Sequence, residues 1–395
     1  MKTENHQHLP TLFYLFKSFL IVGATSFGGY SALISVVQNM LVERDKLISD
    51  KIIVEGFSLA SVLPGPVAVN TVTYIGFRLR GWLGAMVSMV SVVTPSFILM
   101  VVLTHIYLLY GTIPEVASAM QGVLPVVMGV ILATGYSMSK KNLKDWRQLM
   151  ILFVSLVIQF YFKGYLFYVL SLVIGGLMGY VFFSRNIPSG KKMMNKSNNK
   201  SRNKYWHLVF GLVIVLTFVF QNSELINLKL AAAFSKISLT LFGGGYVMIP
   251  MLHSIIVEKY QWLNSTEFMD AIALGQITPG PILVSATFIG YKIAGLTGAV
   301  LSTLAIFCPS AMLIIFIADI FKRITNNRYW LAILEGLKPV VVSFIISSLF
   351  ILFQASSNQW FTFGVALITA FLLLRFKLNY LYLIVVFGLV GLFLL

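Results

Sequence analysis

The sequence predicts an all-α integral membrane protein: two inverted repeats of about six helices each, joined by one extra transmembrane helix, with broken helices at the midplane. Three observations carry that prediction. Hydrophobic side chains make up 58% of the 395 residues and charged ones 11%, against roughly 25% charged in soluble domains, so lipid is the solvent. The chain is self-similar over most of its length, and the parity of its apolar segments turns the second copy over. A water-soluble enzyme, a disordered chain and a disulfide scaffold are excluded, the last because Cys308 is the single cysteine. The net charge of +16 reads as Lys and Arg collected by inner loops, and no nucleic-acid partner is expected. The opening MKTENHQHLP lacks the charged start and short apolar run of a signal peptide, so none is expected.

The self-similarity fixes the domains. Thr25-Ser-Phe-Gly-Gly29 recurs as Thr240-Leu-Phe-Gly-Gly244, Val42-Glu43 as Val257-Glu258, and Pro64-Gly65-Pro66 as Pro279-Gly280-Pro281, all at an offset of 215. At an offset of 214, Ile75-Gly76, Gly81, Gly84-Ala85, Pro95-Ser96, Gly122, Pro125 and Trp146 meet Ile289-Gly290, Gly295, Gly298-Ala299, Pro309-Ser310, Gly336, Pro339 and Trp360. The N-terminal repeat runs over 11–184 and the C-terminal one over 229–395. Between them, 185–228 holds a basic cytoplasmic linker and one unpaired apolar segment, 206–222.

Apolar runs place spans at 12–37, 52–75, 82–109, 116–138, 148–162 and 165–184 in the first copy. The second copy has 230–255, 268–289, 297–320, 331–353, 360–374 and 378–395. An even repeat returns the chain to its starting side, so the extra helix inverts the second copy. With a cytoplasmic N-terminus and an extracellular C-terminus, most Lys and Arg fall inside, as the positive-inside rule requires. Arg44, Lys46, Lys51, Lys163, Lys229 and Lys292 fall outside. Three of these lie in the loop 38–51, which leaves open that the Pro-Gly-Pro segments are re-entrant. The short segments 148–162 and 360–374 can also dip only partway across.

Pro-Gly-Pro in mid-segment interrupts a helix, since proline lacks the N–H and glycine loosens the backbone. Irregular backbone at that depth survives only against protein or a water-filled cavity. Gly28-Gly29 and Gly243-Gly244-Gly245 interrupt the first segment of each copy. Four broken helices thus converge at mid-depth, and their N-termini offer N–H groups and positive dipole ends to an anion. Glycine can instead serve close helix packing.

Small polar side chains flank these breaks: Thr25, Ser26, Ser61 and Asn70 in the first copy, and Thr240, Gln276, Thr278 and Ser285 in the second. They can donate hydrogen bonds to an oxyanion, or bond back to their own helix carbonyls. Lys236, near the second copy's glycine break, is the candidate cation, since buried charges in spans face the interior. Lys17 reads as snorkelling and Lys338 is intermediate. Arg78 and Lys292 are equivalent, about 17 Å beyond their proline motifs, a distance suited to a gate or an interfacial anchor. Glu55 and Asp270 start the Pro-Gly-Pro segments as caps or coupling acids. His105, His207 and His253 are structural or interfacial by default. No metal-binding, nucleophile-elbow or phosphate-loop motif occurs, so neither cofactor nor metal is expected, and the chain is not expected to be an enzyme.

These residues together resemble the chromate ion transporter family in its two-domain long-chain form. The resemblance rests on Phe27-Gly28-Gly29 and Phe242-Gly243-Gly244-Gly245-Tyr246, the paired proline motifs, the stretch from Gly76 to Ala85, and Trp262 to Phe268. It covers both repeats and omits the linker. Leu47 stands where the second copy has Trp262, and Tyr30 where the second copy has its third glycine, Gly245. The resemblance implies export of chromate across the bacterial plasma membrane, with sulfate as a similar oxyanion. A dianion leaving a negative interior gains about 4.6 kcal/mol per 100 mV. An anion channel of the same architecture, or a membrane enzyme acting on a phosphorylated lipid, are the alternatives. The oligomeric state stays open, a homodimer included.

Overall fold

The computed structural model describes residues 10–26, 30–111, 113–185, 224–318, 327–356 and 358–394. Gly28, Gly29 and the segment 206–222 lie outside the described residues. Among the described residues the regular structure is entirely helical, and six helices are long and apolar enough to cross a membrane.

In the first copy, α1 (Leu12–Thr25) precedes residues 27–29, and α2 (Tyr30–Gln38) follows them and continues into a π-helical turn, Asn39–Arg44. α1 has 14 residues, about 20 Å at 1.5 Å per residue, against the roughly 30 Å of a hydrocarbon core. The two arms run antiparallel: the Tyr14 hydroxyl donates to Asp45, bringing the start of α1 beside the end of the return arm.

The next segment folds back in the same way. α3 (Asp50–Val62) ends at Leu63, and α4 (Val67–Tyr110) starts after Pro66. Gly56 packs against Tyr74 and Thr71, and the Tyr74 hydroxyl donates to Glu55 at 3.2 Å. Pro64-Gly65-Pro66 is therefore the tip of a re-entrant hairpin. α4 then reverses at Arg80 and Gly81, where Gly81 has φ +63°. Gly76 and Gly84 pack backbone to backbone across this reversal, a contact that any side chain would block. Residues 82–110 form the first long crossing. Arg80 donates to the Pro10 carbonyl at 2.6 Å, so the bases of both hairpins share one face.

The segments expected to cross at 12–37 and 52–75 thus turn back instead. Each is interrupted at its middle, which leaves two arms of helix too short to span alone. α5 (Pro114–Asn142), α6 (Trp146–Tyr161) and α7 (Tyr165–Phe183) follow.

The second copy repeats the plan. α8 (Ile226–Thr240) leads to the triple glycine, and α9 (Met248–His253) continues into the π-helical turn Ser254–Lys259. α10 (Ser265–Ile277) and the start of α11 (Ser285–Ala318) form the second Pro-Gly-Pro hairpin, its base closed by the ion pair of Lys292 with Glu267. α11 reverses at Ala294 and Gly295 as α4 does at Arg80 and Gly81. α12 (Arg328–Gln354), α13 (Gln359–Phe376) and α14 (Tyr380–Leu394) complete it.

The second copy's hairpin bases meet the far end of the first copy's long crossing. His105 Nδ1 lies 3.1 Å from the Tyr291 hydroxyl, and the Tyr107 hydroxyl donates to Asp270 at 2.6 Å. The two sets of bases therefore sit at opposite ends of residues 82–110, an arrangement consistent with copies of opposite sense.

Candidate functional site

The Pro-Gly-Pro tip of each copy meets the end of the first helix of the other copy. Gly65 N–H donates to the Leu241 carbonyl at 2.6 Å, and Gly280 N–H donates to the Ser26 carbonyl at 2.9 Å. Leu241 and Ser26 are themselves equivalent in the repeat, so the two bonds form a reciprocal pair. Gly65 and Gly280 have φ of +118° and +99°, a region open to glycine at little cost. The Gly65 Cα faces Ser310, and the Gly280 Cα faces Ser96. Those serines are also repeat equivalents, each fully buried after a mid-helix proline. Ser310 N–H donates to Ser238 Oγ at 3.3 Å.

Pro64, Gly65, Pro66, Pro279 and Pro281 are buried and Gly280 is partly so. The tips thus contact protein instead of acyl chains, as irregular backbone at such depth requires. Their free N–H groups are fewer than the sequence suggests, because prolines have none and both tip glycines spend theirs on the opposite copy.

Most of the expected side-chain donors bond locally. Thr25 Oγ1 donates to Ile21 O at 2.8 Å, Ser26 Oγ to Val22 O at 2.5 Å and Ser285 Oγ to Ile282 O at 2.7 Å. Thr240 Oγ1 bonds Lys236 O at 2.9 Å and lies 3.0 Å from the Tyr165 hydroxyl. The amides differ. Asn70 Nδ2 donates to Pro64 O at 3.3 Å while its Oδ1 has no partner. Gln276 Nε2, also buried beside the second proline motif, makes no hydrogen bond of normal geometry and lies next to the Tyr246 side chain.

Lys236 is half-buried, one turn before Thr240. Gly243 packs on Val341 of α12 and Gly245 on Ile282 beyond the second tip, whereas Gly244 faces open space. Arg78 stands at its hairpin base over the Tyr74 ring at 5.9 Å, and Lys292 holds the equivalent place in the other copy. Neither reaches the tips. Glu55 and Asp270 lie at the same two bases, bonded to Tyr74 and Tyr107. Ser96 and Ser310 were missed as site residues, although their recurrence after Pro95 and Pro309 was the available signal.

Hairpins meeting tip to helix end inside a bundle of long apolar helices define a polytopic membrane protein. The family model described as "Chromate transporter" matches residues 13–180 and 228–392. The chain is 32% identical to an uncharacterized transporter of Methanocaldococcus jannaschii over 85% of this chain and 82% of that one. It is 30% identical to a chromate transport protein of Cupriavidus metallidurans over 93% and 89%, and 29% identical to a probable chromate transport protein of Synechococcus elongatus over 89% and 86%. No solved structure matches the chain. The protein belongs to the chromate transporter family, whose members are transport proteins and not enzymes.

Proposed function

We propose that the chain is a secondary transporter that exports chromate, with sulfate-like oxyanions as chemically related substrates, by alternating access about the crossed tips. The observation that carries the reading is the reciprocal pair Gly65 N–H to Leu241 O and Gly280 N–H to Ser26 O. Each bond joins a tip of one copy to a break of the other. Opening one bond frees a backbone donor at a glycine while the other bond stays shut, and exchanging which is open alternates access. The oxyanion then takes donors from the freed glycine and Gln276, with charge from Lys236. Arg78 and Lys292, with Glu55 and Asp270, work at the hairpin bases as gates.

The domain reading keeps two inverted repeats over 11–184 and 229–395, joined through 185–228. Re-entrant hairpins preserve the even parity, with four crossings in each copy. They also move Arg44, Lys46 and Lys51 to the cytoplasmic face and Lys259 to the outer one. Lys163, Lys229, Lys259 and Lys292 remain as outer cations beyond the spans, a stronger inside bias than full spans give. The N-terminus is then cytoplasmic and the C-terminus extracellular, in a bacterial plasma membrane. The gain of about 4.6 kcal/mol per 100 mV for a dianion leaving a negative interior drives export without a further ion.

Labelled chromate and sulfate flux in proteoliposomes under an imposed potential tests the reading. Saturable chromate flux that follows the potential supports it. Non-saturating conductance transfers the chain to the channel class, and absence of flux for both anions overturns it.

A further inference from the structure

Away from the tips, a cavity of about 240 Å³ opens where the second copy's hairpins have their bases. Gln159, Lys163, His253, Glu258 and Ser347 contribute its polar wall. Its inner side is a closed hydrogen-bond set: Gln159 Nε2 donates to Ser343 Oγ at 2.7 Å, and Ser347 Oγ to Gln159 Oε1 at 2.5 Å.

Beside it, His253 Nδ1 lies 3.5 Å from Glu258 Oε1 and has no hydrogen-bond partner. In a neutral imidazole with its proton on Nε2, the Nδ1 lone pair would face a carboxylate. A proton on Nδ1 turns that opposition into an ion pair. Lys163, from the turn between α6 and α7, and Tyr168 of α7 are the other titratable groups around the cavity. α10 contributes the Phe268 ring against the imidazole at 5.4 Å, together with Ser265, and α12 contributes Ser347 and Gln354, all uncharged.

The repeat isolates this pair. The counterpart of His253 is Gln38, which donates to Asp50 at 2.8 Å and cannot titrate. His253 and Glu258 lie on the arm that returns from the triple glycine. Ser348, next to Ser347, donates to the Tyr246 carbonyl at 3.1 Å, one residue past that break. We infer that His253 and Glu258 form a proton-binding site, filled through the cavity, which sets the position of the 245–259 arm and so regulates flux by pH. One proton adds to Nδ1 from water, and no other bond changes. The inference rests on the transport reading above, but protonation can be measured without it.

The test has two arms on the full-length protein. Histidine-labelled protein in nanodiscs is titrated by NMR, with His253→Gln assigning the resonance among the five histidines. The His253 signal should report proton uptake across the pH range scanned, and Glu258→Gln, which removes the facing carboxylate at 3.5 Å, should weaken that uptake. Chromate flux is then followed over the same pH range. The wild type should change several-fold, and His253→Gln, which installs the first copy's residue, should respond flatly. A His253 signal that shows no proton uptake across the scan, or a His253→Gln flux profile equal to wild type, overturns the proposal. Normal titration with no chromate flux in any protein removes the transport reading and leaves the proton site standing.

Discussion

The two copies agree at their tips and differ at their bases. At the tips, Gly65 and Gly280 share a left-handed backbone, a carbonyl partner in the opposite copy and a buried serine neighbour. At the bases, Glu55 accepts from Tyr74 within its own hairpin at 3.2 Å, whereas Asp270 accepts from Tyr107 of the other copy at 2.6 Å. The second copy's hairpin is thereby tied to the long crossing of the first, while among the described residues the first copy's acid is bonded within its own hairpin. Duplication kept what backbone geometry demands and let side-chain latches diverge.

Breaking the tips should have the largest effect and should itself be unequal. A Cβ at Gly65 would fall on Ser310 and the Asn70 amide, whereas one at Gly280 would come no closer than 3.1 Å, to Ser96 Oγ. Both substitutions incur backbone strain of about 1–3 kcal/mol. Gly65→Ala should therefore abolish flux and lower the melting temperature more than Gly280→Ala; equal losses in flux and melting would contradict the packing difference.

The latches come next. Asp270→Asn removes a charged acceptor from a hydrogen bond of a kind worth about 1.5–3 kcal/mol. It should change flux several-fold, and Tyr107→Phe should reproduce that change. Glu55→Gln should do less, because its bond is longer and local. Flux through all three variants, measured at matched protein level, decides whether the second base is the tighter gate.

The smallest effect belongs to the loop at the first copy's base. Arg44 beside Asp45 holds that carboxyl below its usual range, aided by the Tyr14 hydroxyl. A depressed acid contributes stability above its unfolded pKa of about 3.9 and loses it as pH falls through the lower folded value. Asp45→Asn should therefore lower the melting temperature slightly at neutral pH and converge with wild type in strong acid. A difference that grows as pH falls would be the wrong sign.

Much of this was legible in the chain itself. The offset of 215 located both tips, and Pro-Gly-Pro marked where helices had to stop. The hidden part was direction after the stop. Apolar composition measures how deep a segment can sit, and it is the same for an arm that crosses and an arm that turns back. The cations of the loop 38–51 were the one hint of return. The Thr25, Ser26 and Ser285 hydroxyls had two local alternatives that spacing could not separate, and neighbouring carbonyls took them.

Sequence alone determined a doubled membrane protein with helices broken at mirrored places, because apolar length, proline and glycine act on their own stretch of chain. Tertiary structure alone decided that the breaks are hairpin tips, that Gly65 and Gly280 spend their N–H groups on the opposite copy, and that His253 meets Glu258 beside a cavity. Each of those depends on which distant backbone arrives within about 3 Å of a polar group, and local pattern carries no record of that.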